Sequence, residues 1–127
     1  SINIKYINEV SKMIDKKRKK ELLLKYKEMK PDMGVYMIKS LNTGKVYLGY
    51  DKDLKGTLNS ERFKLNAGGH KNKVLQKEWT KVTEKGFEIK VLEVLEYDKD
   101  ESKTDYTEDL KALRDMWKDK YDVVEEI

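Results

Sequence analysis

Two tyrosines stand on short apolar runs, in Gly34-Val35-Tyr36 and Tyr47-Leu48-Gly49, with a turn signal, Leu41-Asn42-Thr43-Gly44, between them. Two runs of β-forming residues around an Asn/Gly-containing link read as a hairpin over 33–50. A four-residue link pairs positions whose numbers sum to 85, so Tyr36 faces Gly49 and Tyr47 faces Ile38. The phenols are then diagonal neighbours on one face, roughly 7–8 Å apart at the backbone. Gly49 leaves open space on that face, and Lys45 shares it by parity. Two phenols and an ammonium around a bare glycine form a candidate reactive surface. An aromatic pair that merely covers a sheet fits the same residues.

The composition bounds what such a surface can be. The chain has 127 residues, 41% of them charged, and no cysteine. Disulfides, thiolate metal sites and a cysteine nucleophile are therefore excluded. A single histidine, His70, excludes a multi-histidine metal site within one chain. No apolar run approaches the roughly 20 residues of a membrane span, and no signal peptide is visible, so a soluble, cytoplasmic protein without membrane contact is expected. The net charge of +4 is unevenly spread. Residues 1–30 carry ten Lys/Arg against four Asp/Glu, residues 31–90 twelve against seven, and residues 91–127 six against thirteen. The first two thirds suit a polyanion such as nucleic acid, and the acidic end does not.

The surrounding elements follow from periodicity. Residues 1–30 read as a helical extension, as one helix or two. Ile7, Val10 and Ile14 share a face, and Leu22, Tyr26 and Met29 share another. The basic run Lys16, Lys17, Arg18, Lys19 and Lys20 lies between them as a candidate phosphate contact or a solvated helix face. Pro31 ends the extension. A helix is expected near 53–66 with Leu54, Leu58 and Leu65 on one side, broken by Ala67-Gly68-Gly69. A second helix is capped by Asn72 and faces inward through Leu75, Trp79 and Val82. A third strand spans 87–95, and a last helix follows the stripe Tyr106, Leu110, Leu113, Trp117 and Tyr121. The fold class is α+β: a small, mainly antiparallel three-stranded sheet flanked by helices over 31–127, after the extension at 1–30.

With these elements in order, residues 33–96 resemble the GIY-YIG nuclease domain family. The resemblance rests on Gly34-Val35-Tyr36, Gly44-Lys45-Val46, Tyr47-Leu48-Gly49, Gly69-His70-Lys71-Asn72, Leu75 to Trp79, and Phe87 leading to Leu92-Glu93. It implies a hydrolase, an endonuclease that binds DNA and cleaves a phosphodiester with one divalent metal ion, Mg2+ or Mn2+. By resemblance, Tyr36 and Tyr47 serve the nucleophile with Lys45 as helper, and His70 lies near the scissile phosphate. Lys71 and Asn72 join the basic run as nucleic-acid contacts.

Two positions depart from the family pattern. The arginine that steadies phosphate falls on Thr57, with Arg62 the nearest alternative. The metal-ligand glutamate falls on Arg114, which leaves Asp115 and Glu108 as the candidate metal ligands. The readings that follow are an endonuclease with an atypical or impaired site, a non-catalytic nucleic-acid-binding module, or an interaction domain that self-associates or binds a partner helix through residues 1–30.

Overall fold

The computed structural model describes residues 12–13, 15–21 and 30–127. The chain separates into two compact units, Ser1–Pro31 and Asp32–Ile127. In the first, residues 12–13 and 15–21 are helical and exposed, among them Lys16, Lys17, Arg18, Lys19 and Lys20. The apolar stripes expected at Ile7, Val10, Ile14, Leu22, Tyr26 and Met29 lie outside the described residues.

The second unit begins with the hairpin, β1 (Met33–Ser40) and β2 (Val46–Asp51). The register is the expected one: Tyr36 faces Gly49 and Tyr47 faces Ile38. Ser40 N–H donates to the Lys45 carbonyl at 2.9 Å, which closes a four-residue link. Two helices follow, α1 (Leu54–Ala67) and α2 (Lys73–Val82). Asp53 caps α1 by accepting from the Gly56 N–H, and Asn72 caps α2 by accepting from the Leu75 N–H. A 3-10 turn at Glu84–Gly86 leads to β3 (Phe87–Leu95), then come α3 (Thr107–Lys118) and β4 (Val124–Glu126).

The sheet differs from the expectation in one respect. It has four strands in the order β3-β1-β2-β4 and is mixed, because β4 runs parallel to β2. A three-residue strand shows no alternation to read, and its pairing is set across the whole chain. The last helix also ends at Lys118, although Tyr121 still packs beneath the sheet.

Side chains alternate across the sheet, and each face has its own core. Ile38 and Tyr47 pack with Leu65 of α1, with Leu75 and Trp79 of α2, and with Phe87. On the opposite face Met37, Val46 and Leu48 meet Trp117 and Tyr121, and Met33 meets Tyr106 and Leu110. Helices α1 and α2 therefore roof the tyrosine face, while α3 covers the other. Gly34 sits where β3 gains an extra residue, Leu92, between the partners of Val35 and Tyr36. A Cβ on Gly34 would collide with the Glu93 carbonyl, so only glycine permits this approach.

Candidate active site: a sealed tyrosine face

Tyr36 and Tyr47 share a face, as the hairpin parity requires. That face is not open. Tyr36 is 3% exposed and Tyr47 0%. The space expected above Gly49 is filled by Tyr36 itself: a Cβ on Gly49 would overlap the Tyr36 ring carbons and hydroxyl. The second glycine of the paired triplets is thus where the phenol of the first lies down.

The two hydroxyls have different surroundings. That of Tyr36 hydrogen-bonds Thr57 on α1 and feels the carboxylates of Glu61 and Asp51. Burial first, and these carboxylates second, push its pKa far above the ordinary phenol value of about 10. That of Tyr47 is buried without a hydrogen-bond partner. Its pKa is raised by burial, an effect the Lys45 ammonium partly offsets. Lys45 Nζ lies 5.2 Å from the Tyr47 ring centroid, but its partner is Glu125 of β4, at 3.0 Å. That bond raises the Lys45 pKa. Both phenols therefore keep their protons near neutral pH.

His70 is buried, and its ring belongs to a network that the sequence did not disclose. The ring Nδ1 accepts from the Asn72 N–H at 3.0 Å, so Nε2 is the donor, and it bonds the Glu61 carboxylate. The His70 N–H donates to Gln76 Oε1 at 3.0 Å, and Gln76 Nε2 donates to the Leu65 carbonyl at 2.9 Å. This chain of bonds ties α1 to the start of α2. Glu61, 6% exposed, stands beside the Tyr36 phenol at its end. Its signal was present in the sequence: it lies seven residues after Leu54 and four before Leu65, on the buried stripe of α1.

The remaining candidates lie elsewhere. Arg62 leans toward Glu84, with Nε 3.5 Å from the carboxylate. Asn72 spends its side chain on capping, and Lys71 is exposed beside it. Glu108 and Asp115 belong to α3, on the far side of the sheet from the tyrosines. Glu108 is paired with Lys111 at 3.8 Å and Asp115 with Arg114 at 3.3 Å. Arg114 also reaches Glu126 at 3.4 Å and stacks its guanidinium 5.0 Å from the Tyr50 ring centroid.

The candidate ligands named for the divalent ion, Glu108 and Asp115, do not stand with the phenols. Of the carboxylates near Tyr36, Glu61 is bonded to His70 and Asp51 accepts from the Asp53 N–H, and the two on α3 are separated from the phenols by the sheet. Among the described residues, no group of three His, Asp or Glu side chains could hold a metal ion. No described helix is long and apolar enough to cross a membrane.

No family model and no curated protein match this sequence. Solved structures do. The chain is similar to the catalytic domain of the homing endonuclease I-TevI at 26% identity and a TM-score of 0.56, over 69% of this chain and 86% of that one. It is similar to a mutant of the catalytic domain of the same intron endonuclease at 25% identity and a TM-score of 0.56, over 70% and 82%. With the tyrosine triplets paired as observed, the chain carries a nuclease-like domain of GIY-YIG-like fold.

Proposed function

We propose that this domain binds nucleic acid, most directly DNA, through helices α1 and α2, and that it cuts DNA poorly or not at all. One observation carries the reading. Among the described residues, Lys52, Lys55, Lys64, Lys71, Lys77 and Lys81, on and beside these two helices, have no acidic partner. Most cations around α3 do have partners: Lys103 with Asp109, Lys111 with Glu108, and both Arg114 and Lys118 with Glu126, while Lys120 lies over the Trp117 ring. Unpaired lysines on and beside two neighbouring helices are free to replace the counterions of a phosphate backbone.

The chemistry supports binding over cutting. Cleavage needs an activated water, neutralisation of charge at phosphorus and a stabilised leaving oxygen. The sealed phenols are protonated, Thr57 stands where the family has its arginine, and the α3 carboxylates lie across the sheet. The rival reading, a working Mg2+- or Mn2+-dependent endonuclease, is favoured by the intact Tyr36, Tyr47, Lys45 and His70 and by the likeness to an endonuclease catalytic domain.

One assay separates the two. Supercoiled plasmid and a branched oligonucleotide are incubated with the full chain and 
Mg2+ or Mn2+, and binding is followed in parallel by fluorescence anisotropy. Salt-sensitive binding without nicking is the expected result. Nicking that disappears in Tyr36→Phe would establish the enzyme instead.

A further inference from the structure

Helix α1 bears one acidic residue, Glu61, and it is buried against His70. The helix itself therefore adds no exposed carboxylate to its outer surface, and Glu84 approaches it to pair with Arg62. In the middle of that surface is Phe63, 74% exposed. It lies two residues before the buried Leu65, a rotation of roughly 200° on a helix, so its ring is directed away from the core. Its neighbours one turn away are Asn59, Ser60, Asn66 and Ala67, all exposed, and Arg62 and Lys64 flank it in sequence. A single exposed apolar side chain needs no explanation by itself. Phe63 differs in its setting, an aromatic ring within a basic, hydrogen-bonding surface that lacks any exposed carboxylate of its own helix. Met116, exposed to 66% on α3, has the opposite setting, with Asp115 before it and Asp119 one turn later.

We infer that Phe63 is a stacking platform for an unpaired nucleobase, so that the domain prefers single-stranded DNA to a continuous duplex. This rests on the proposed nucleic-acid binding and names its substrate class. The π-face of a base is available in a single strand and covered in a duplex, and lysines that track a backbone beside an aromatic ring are the general means of holding single strands. The contact is independent of base identity, because every base has such a face.

The test uses the full chain and two fluorescein-labelled probes, a single-stranded oligonucleotide and the blunt duplex of the same sequence. Wild type is expected to bind the single strand more tightly. Phe63→Ala weakens that binding by about tenfold and changes duplex binding less than about twofold, in line with the loss of one stacked base. Phe63→Trp restores the affinity, and the new indole is quenched as the single strand is added. Met116→Ala leaves both affinities unchanged. Equal affinity of wild type for the two probes, or a Phe63→Ala protein that binds the single strand like wild type, overturns the stacking role while salt-sensitive binding leaves the broader reading standing. Binding to neither probe removes both.

Discussion

At the scale of single residues, the main fact is that Tyr36 lies over Gly49. Gly49→Ala is expected to destabilise the fold by about 1–3 kcal/mol, the usual cost of overpacking. In a Tyr36→Ala background most of that penalty disappears, because the overlapping ring is gone; a double-mutant cycle in urea measures the coupling. Burial of both phenols has a second consequence. A folded-state pKa raised above the unfolded value gives stability that is complete below about pH 10 and is lost as pH rises beyond it. Alkaline titration followed by tyrosinate absorbance should show Tyr36 and Tyr47 ionising only as the protein unfolds. Tyr36→Phe should make the loss of stability with pH shallower; ionisation of all tyrosines in one step near pH 10 without unfolding would contradict the sealed face.

At the scale of elements, the Glu61–His70 bond joins α1 to the segment that starts α2. Glu61→Ala leaves a buried ring N–H without its acceptor and should cost about 1–3 kcal/mol, the range for a buried donor left unsatisfied. Thermal unfolding reads this directly, and a change within about 0.5 kcal/mol would mean that the network contributes little.

These elements also mark what could be read from the sequence and what could not. The hairpin register was legible because parity and link length fix it together. The helices and β3 were legible because Leu54, Leu75, Trp79, Phe87 and Leu110 repeat with clear periods. The strand β4 was not, since three residues ending in two glutamates carry no pattern and gain their place from pairing with β2. The site was only partly legible. Sequence placed the phenols on one face, but an empty position above Gly49 and a ring folded into that position look identical until side chains are placed. Glu61 was not singled out, because a lone carboxylate on the stripe of Leu54 and Leu65 names no partner by itself. Only the approach of His70, nine residues on, explains its burial.

At the scale of the whole second unit, charge is sorted by the sheet. Residues 52–81, which form the layer above the tyrosine face, contain eight Lys/Arg and three Asp/Glu; residues 96–127, which supply α3 and β4, contain six and twelve. Two helical layers with a sheet between them are roughly 20 Å apart. That exceeds the Debye length of about 8 Å at physiological ionic strength, so the acidic layer does not cancel the field of the basic one. Such a molecule presents one surface to a polyanion and turns the other away from it.

The most direct test is the salt dependence of binding to single-stranded DNA, compared between wild type and a Lys55→Ala/Lys64→Ala/Lys77→Ala triple variant. Each phosphate contact to a single strand contributes about −0.7 to the slope of log affinity against log salt. The polarity described here predicts a steep negative slope for wild type and a slope shallower by about 2 for the triple variant. A flat wild-type line, or the same slope in both proteins, would contradict it.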